Sequence, residues 1–196
     1  MCGIAGILGE TDRGERSRRV AAMAGALAHR GPDDEGFFDD EAVSLGFRRL
    51  SVIDLETGQQ AIALEDGRAA IVLNGEIYNF RELRVELEAR GHRFRSKGDV
   101  EVVLRLYAEE GLACLGRLNG MFALALWDAR DRVLHLARDR FGIKPLFWCR
   151  LQEKSAFWRT RAPFNTGSLT KLQALPTVCS LISVPRTVLV GCDAQY

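Results

Sequence analysis

Apolar residues that recur three or four positions apart predict three helices. The first covers about residues 17–29, the second follows Asn79, and the third begins at Gly98–Asp99. Asn79 and Glu82 have the spacing of a capping box, in which two side chains bond reciprocally to backbone N–H groups at the start of a helix. Asp99 is a residue type that favours the N-cap, so it is predicted to cap the third helix.

Shorter apolar runs predict the strands. They are Cys2–Leu8, Phe37–Phe38 paired with Val43–Phe47, Ala69–Leu73, Met121–Trp127 paired with Arg132–Ala137, and a last short strand after Leu146, with Ser51–Leu55 as a strand or a bend. Since Ala69–Leu73 is apolar throughout, it should be a central strand buried on both faces. It runs directly into Asn74–Gly75, the dipeptide that most strongly signals a hairpin. A helix follows too soon for a simple hairpin, so a turn and a role in a site are equally open.

Composition and charge narrow the class of protein. The chain has 196 residues, of which 47% are hydrophobic, enough for one sizeable core and at most a small appendage. Its 27 Lys and Arg residues nearly balance its 26 Asp and Glu residues, so no nucleic-acid partner is indicated. No apolar run approaches the roughly 18 residues of a membrane span, and the N-terminus lacks the pattern of a signal peptide. We therefore expect no membrane partner and a cytoplasmic location.

The Cys, His and acidic residues of the chain do not have the spacing of metal ligands. The cysteines are odd in number and form no C-x-x-C pair, which predicts free thiols. They are Cys2, Cys114, Cys149, Cys179 and Cys192. His29, His92 and His135 lie far apart, so each should be a surface or turn residue. The acidic run over residues 33–41 should be a solvated loop. No metal is expected.

Cys2 is the first candidate for chemistry. If Met1 is removed, Cys2 carries a thiol and a free α-amine on the same residue. An α-amine titrates near pH 8, so it is suited to take the proton of a nucleophilic thiol at neutral pH. Taken alone, Cys2 is better explained as a small apolar residue at the edge of the first strand, and only the rest of the chain overturns that explanation.

The pattern of the chain changes after about residue 150. Residues 150–196 contain two acidic residues and six basic ones, and helical periodicity, caps and strand alternation fade together. Local signals that disagree with one another argue against a specified fold. Residues 151–196 are therefore expected to be a poorly ordered, aberrant tail.

Five segments of the chain together resemble a known family. They are Cys2–Gly6, His29–Asp33, Arg49–Ser51, Asn74–Asn79 and Asp139–Leu146. Their order and spacing resemble those of class II glutamine amidotransferase domains, which are N-terminal nucleophile hydrolases. The set is most similar to the glutaminase half of glutamine-hydrolysing asparagine synthetases. The resemblance implies an α+β fold over residues 2–150, a four-layer αββα sandwich in which two antiparallel sheets pack between helices.

The resemblance also implies a reaction and its catalytic residues. The Cys2 thiolate would attack the side-chain amide of L-glutamine and form a thioester, releasing ammonia and then glutamate, with the α-amine as base and then acid. The Asn74 side-chain amide and the Gly75 N–H would stabilise the oxyanion. This domain would need no cofactor, since ATP and Mg²⁺ would belong to a synthetase domain, the partner that supplies the ammonia acceptor.

The remaining implied residues bind glutamine. Arg49 would hold its α-carboxylate, and Asp99, helped by Glu76, would hold its α-amine. A role for Asp99 as helix cap alone stays open beside this. Two further positions match the family's substrate-binding residues, Leu50 and Ile53.

The sequence departs from the family pattern in three places. Phe47 replaces a histidine and Gln60–Ala61 replaces a Gln-Pro pair, and neither change is expected to touch the chemistry. From Trp158 onward the chain leaves the family's Ser-Glu-Leu-Lys-type continuation, and no nucleotide-binding loop of a synthetase domain follows. We expect the tail to come from a frameshift or a gene fragment. An inactive fragment, or a glutaminase module for a sugar-phosphate or phosphoribosyl acceptor, are the alternative functions.

Overall fold

The computed structural model describes residues 2–9, 12–51, 58–151, 154–158, 182–184 and 187–189. Within these residues the chain forms three α-helices, one 3-10 helix and two β-sheets. The helices are α1 (Arg13–Ala26), α2 (Phe80–Ala89), α3 (Asp99–Glu110) and the 3-10 helix Gly111–Arg117. The strands are β1 (Gly3–Leu8), β2 (Asp34–Asp39), β3 (Val43–Arg49), β4 (Ile62–Ala63), β5 (Ala69–Ile77), β6 (Gly120–Asp128), β7 (Val133–Arg138), β8 (Phe147–Leu151), β9 (Lys154–Trp158), β10 (Ile182–Val184) and β11 (Thr187–Leu189).

The two sheets are antiparallel apart from one pairing. The first has the order β2-β3-β1-β9-β8, and the second has the order β10-β11-β7-β6-β5-β4, in which β11 pairs with β7 in parallel. Helix α1 packs on the outer face of the first sheet, and α3, with α2 beside it, packs on the outer face of the second. The layers are therefore helix, sheet, sheet and helix, as the resemblance implied.

Strand alternation produces two separate cores. Along β5, Ile71 and Leu73 belong to the core between the second sheet and its helices, whereas Val72 belongs to the core between the sheets. The core between the sheets also takes Ile4 from β1 and Phe47 from β3. Because successive side chains of a strand point to opposite faces, each central strand contributes to both of its neighbouring layers.

A hydrogen bond between the sheets fixes which strand ends meet. Trp127 Nε1, near the end of β6, donates to Asp40 Oδ2 in the turn between β2 and β3 at 2.9 Å. The end of β1 lies at the same turn, since the Gly9 N–H donates to the Ala42 carbonyl oxygen at 3.0 Å. The start of β1, the end of β3 and the end of β5 therefore converge at the opposite end of the sandwich.

Two helix starts differ from the predictions. Helix α1 begins at Arg13, earlier than expected, because the Asp12 side chain accepts from the Glu15 N–H at 2.9 Å and caps it. The capping box at Asn79 is wrong, since its side chain makes no cap bond. Asn79 Nδ2 instead donates to the Arg117 carbonyl oxygen at 2.9 Å, and its Oδ1 accepts from the Asn119 N–H at 3.0 Å. The Asn79 side chain thus bonds to the loop at Arg117 and Asn119 and not to the first turn of α2.

Two polar segments are also more ordered than predicted. Residues 34–39 form β2, so the acidic run is largely strand rather than loop. His135, expected at the surface, is only 6% exposed beneath α3. Its Nε2 lies 3.2 Å from the Tyr107 hydroxyl, which donates to Asp128 Oδ2 at 2.9 Å. Burial lowers the pKa of His135.

The predicted tail falls largely on residues outside the described ones. Within residues 151–196, the structure describes the end of β8 and the backbone pairing of β9, β10 and β11. β9 pairs with β1 and β8 in the first sheet. Among the described residues, no helix combines the length and apolar character that a membrane span requires.

Two glycines with equal space around them should respond oppositely to alanine. Gly91 follows α2 with φ +92° and donates to the Glu88 carbonyl oxygen at 3.0 Å, whereas Gly25 lies inside α1. A Cβ at either position would meet nothing within 4 Å, so the backbone conformation decides the outcome. Gly91→Ala should lower the free energy of unfolding by about 1–2 kcal/mol, and Gly25→Ala should raise it by about 0.5–1 kcal/mol. Urea unfolding measures both, and equal signs would contradict the assignment.

Candidate active site

Cys2 lies at the start of β1, beside the end of β3. Gly3 pairs with Arg48, so Arg49 and Leu50 lie level with Cys2. The Leu50 N–H donates to Cys2 Sγ at 3.4 Å, and the thiol donates to the Leu50 carbonyl oxygen at 3.6 Å. The thiol is therefore held by main chain at a partly exposed position.

Arg49 belongs to the inner face of the first sheet. Along β3, Val43, Leu45 and Phe47 lie in the core between the sheets, and Arg49 follows the same alternation. It is 6% exposed, and its carbonyl oxygen accepts from the Asp33 N–H at 3.0 Å. A guanidinium largely removed from water is suited to bind a carboxylate.

Asn74 lies on the facing side of the second sheet. It follows the same alternation as Val72, which packs between the sheets, and Cα atoms of β1 and β5 approach within 8 Å of each other. Asn74 is 1% exposed, yet among the described residues its Nδ2 has no hydrogen-bond partner. Burying a donor without a partner costs about 1–3 kcal/mol. Stability alone therefore does not explain this amide.

Gly75 brings a backbone N–H to the edge of the second sheet. Its φ is +144°, and a Cβ here would lie 1.9 Å from the Met121 carbonyl oxygen. Phe122, opposite Gly75, directs its N–H and carbonyl oxygen to Asp139, at 3.2 and 2.8 Å. The Gly75 N–H must therefore point away from β6, toward the outer edge of β5. The strand continues through Gly75 to Ile77, so the hairpin alternative is wrong.

Asp99 connects the start of α3 to the end of β5. The N-cap is Gly98, so the prediction that Asp99 caps this helix is wrong. Asp99 Oδ2 instead accepts from the Ile77 N–H at 2.8 Å, and the residue is 6% exposed. Burial raises the pKa of the Asp99 carboxyl, opposed by the Ile77 hydrogen bond and reinforced by the charge of Glu76. Two carboxyl groups thus lie near each other at this edge.

The predicted site residues fall into two groups that face each other. Cys2, Arg49 and Leu50 lie on the first sheet, and Asn74, Gly75, Glu76 and Asp99 lie on or beside β5. Both groups are at the end of the sandwich opposite the Trp127–Asp40 bond. Ile53 lies outside the described residues.

Asp139 supports this end of the sandwich, although sequence reasoning gave it no role beyond its segment. Its carboxylate accepts from the Phe122, Phe141, Ile143 and Lys144 N–H groups at 2.9 to 3.2 Å, and the residue is 2% exposed. It fixes the loop after β7 against the strand that faces Gly75. An aspartate followed by a turn glycine, Gly142, was the available signal.

Metal ligands are not clustered in the described part of the chain. No group of three or more His, Cys, Asp or Glu side chains there could hold a metal ion. The expectations of no metal and no cofactor stay predictions.

The chain belongs to the glutamine amidotransferase domain family, because the model of that family matches residues 1–168. Among curated proteins, asparagine synthetase [glutamine-hydrolyzing] 1 of Bacillus subtilis (strain 168) is 42% identical over 160 residues, 80% of this chain and 25% of that protein. Asparagine synthetase [glutamine-hydrolyzing] 2 of Arabidopsis thaliana is 42% identical over 148 residues, 75% of this chain and 25% of that protein. The chain thus spans about a quarter of the length of these relatives. The predicted family is confirmed.

Solved structures agree on the fold. Glutamine phosphoribosylpyrophosphate amidotransferase from B. subtilis, complexed with ADP and GMP, matches with a TM-score of 0.66 and 19% identity over 80% of this chain and 41% of that chain. A structure described as the allosteric regulatory enzyme of purine biosynthesis matches with a TM-score of 0.67 and 19% identity, over 81% and 42% of the two chains. The predicted four-layer αββα sandwich is confirmed.

Replacing the Asp99 carboxylate by an amide should stabilise the protein increasingly as the pH rises. The pKa of Asp99 is higher in the folded protein than the usual 3.8, so its ionisation reduces stability as the pH rises through the folded-state pKa. Asp99→Asn keeps an acceptor for the Ile77 N–H and does not ionise. Urea unfolding between about pH 4 and pH 8 measures the difference from wild type, which should grow with pH. Asp66→Asn, on an exposed turn, is the control. A difference that shrinks with pH would contradict this account.

Proposed function

We propose that this chain hydrolyses the side-chain amide of L-glutamine to glutamate and ammonia, with Cys2 as nucleophile. The observation that carries the proposal is the buried Asn74 Nδ2, which lacks a partner among the described residues beside the edge to which the Gly75 N–H points. Two donors that converge where a negative oxygen develops are what acyl transfer requires. Family membership supports the same reaction.

In the first step, the free α-amine of Cys2 takes the thiol proton, and the sulfur forms a bond to the amide carbon. The carbonyl electron pair moves to the oxygen, which Asn74 Nδ2–H and Gly75 N–H stabilise. The Leu50 N–H, 3.4 Å from Sγ, holds the sulfur in place before attack. Met1 lies outside the described residues, and the proposal requires its removal.

In the second step, the oxyanion collapses and the carbon–nitrogen bond breaks. The α-ammonium group of Cys2 returns its proton to the leaving nitrogen, so ammonia departs and a thioester remains. Water then attacks the thioester with the α-amine again as base, and glutamate and the Cys2 thiol are regenerated. No cofactor enters either step.

In this proposal, Arg49 and Asp99 hold the two charged groups of glutamine. Arg49, on the first sheet, would pair with the α-carboxylate, and Asp99, with Glu76, would bind the α-amine from the second sheet. The α-amine can use the part of the Asp99 carboxylate that the Ile77 N–H does not occupy. A substrate held from both sheets would place its amide between Cys2 and Asn74.

We further propose that the ammonia serves asparagine synthesis in the cytoplasm, with ATP and Mg²⁺ in a partner synthetase domain. The support is the 42% identity to asparagine synthetases. The 19% identity to the phosphoribosylpyrophosphate amidotransferase gives the alternative phosphoribosyl acceptor weaker support.

Removal of the two described thiols should separate catalysis from packing. Cys2→Ala should reduce glutamine hydrolysis to background, because the proposed thioester forms on the Cys2 sulfur. Cys114→Ala should keep the activity, since Cys114 lies in the core beneath the helices. Ammonia and glutamate released from glutamine by the purified full chain measure both. Equal release from wild type and Cys2→Ala would refute the mechanism, and an inactive wild type would favour the inactive-fragment alternative.

Loss of the Asn74 amide should affect the rate more than binding. Asn74→Ala should lower kcat about 100- to 1000-fold with little change in KM, because the oxyanion exists only after attack. Its thermal unfolding should stay near that of wild type, since no hydrogen bond of Nδ2 to described residues is lost. A raised KM with unchanged kcat would instead make Asn74 a residue that binds the ground state.

A further inference from the structure

Gln60 acts as a substitute for a neighbouring strand at one point of β5. The Leu73 N–H donates to Gln60 Oε1 at 2.7 Å, and Gln60 Nε2 donates to the Leu73 carbonyl oxygen at 3.1 Å. The strand on this edge, β4, pairs only with Ile71 and Ala70. The Gln60 side chain therefore satisfies both backbone groups of Leu73 where β4 has already ended.

The clamped residue is next to both proposed oxyanion donors. Leu73 precedes Asn74, and every second residue of β5 directs its backbone groups to the outer edge, so Leu73, Gly75 and Ile77 share this edge. Gln60 holds Leu73, and Asp99 holds Ile77 through a hydrogen bond of 2.8 Å. The Gly75 N–H thus lies between two backbone positions that side chains fix.

The main chain of Gln60 is itself fixed against the first sheet. A Cβ added to Gly36 in β2 would lie 1.5 Å from the Gln60 carbonyl oxygen, so the two backbones are in close contact. The backbone of Gln60 thus contacts β2 of the first sheet, and its side chain bonds to β5 of the second sheet. The positions of the Asn74 amide and the Gly75 N–H should therefore depend on Gln60. A displacement of about 1 Å in a catalytic group can cost about 100-fold in rate.

We propose that Gln60 is a positioning residue for the oxyanion site, acting through Leu73 on the Asn74 amide and the Gly75 N–H. The inference rests on the proposed glutamine hydrolysis and adds a residue outside the assigned set. A purely structural Gln60 would lower stability when replaced, but the folded molecules would keep their kcat.

The first test replaces Gln60 by a side chain of similar length without hydrogen bonds. Gln60→Met should lower kcat for glutamine about 10- to 100-fold, with KM within about twofold of wild type. Alkylation of Cys2 by iodoacetamide, followed by peptide mass, should keep its rate because it develops no oxyanion. Gln59→Met, at the exposed neighbouring position, is the matched control and should keep wild-type kcat.

The second test measures how kcat depends on pH when the hydrogen bond to the Leu73 carbonyl oxygen can be lost by ionisation. In Gln60→Glu, the introduced carboxyl can donate to the Leu73 carbonyl oxygen only when protonated, so kcat relative to wild type should rise as the pH falls. This variant also decides the matter if Gln60→Met does not fold, since a lowered kcat at pH 8 with unchanged alkylation supports the role.

The outcomes distinguish this inference from the proposed function. Active wild type, inactive Cys2→Ala and an unchanged kcat in folded Gln60→Met or Gln60→Glu would overturn the role of Gln60 alone. Equal loss of kcat and of the alkylation rate would also overturn it, because the whole site would then be disturbed. A wild type that releases no ammonia from glutamine would overturn the proposed function and this inference with it.

Discussion

The packing of the two sheets against each other is the constraint on which the site depends. Ile4, Phe47, Val72 and Trp127 meet between the sheets, and each large apolar side chain buried there contributes about 1.5–3 kcal/mol. Cys2 follows the alternation of Ile4, as Asn74 follows that of Val72. Because strand side chains alternate with a period of two, a shift of one residue in register would expose the core and turn the site residues outward together.

Several features of the site work against stability, which indicates that they are kept for another reason. The Asn74 amide is buried without a partner for Nδ2 among the described residues, and Gly75 holds a backbone conformation and a contact that a side chain would prevent. Asp99 is a carboxyl whose ionisation is disfavoured by burial. All three residues lie at the same end of the sandwich, and the apolar burial between the sheets offsets their cost in stability.

The sequence predicted the parts of this arrangement that depend on local pattern. β1 was found from a short apolar run, β3 from its alternation and β5 from a continuous apolar run, all of which are local patterns. Asn79 was misassigned because the loop near Asn119 competes for its side chain, and no local rule describes a partner 40 positions away. His135 was misjudged for a related reason. Its burial depends on the strand's position beneath α3, which the sequence does not display.

Gln60 illustrates the same limit at the site itself. Its proposed role depends on β4 pairing only with Ala70 and Ile71, so that the outer edge of Leu73 is left to a side chain, and on Gly36 leaving room for the backbone of Gln60. Neither condition can be recognised from Gln60 and its neighbours in the sequence. The sequence comparison drew attention to Ala61, where the family's pair has proline, whereas the side chain that contacts the residue before Asn74 belongs to Gln60.

The two described thiols show that position, rather than residue type, decides the chemistry. Cys114 lies under the helices, where burial and the charge of Glu110 raise its pKa to about 12, so it stays a protonated thiol at neutral pH. Cys2 is partly exposed, accepts a hydrogen bond from the Leu50 N–H and becomes the N-terminal residue once Met1 is removed. The same side chain is inert as part of one core and suited to attack at the edge of the other. Of these two thiols, only Cys2 lies at the end of the sandwich where the proposed site residues meet, so its place in the fold makes it the proposed nucleophile.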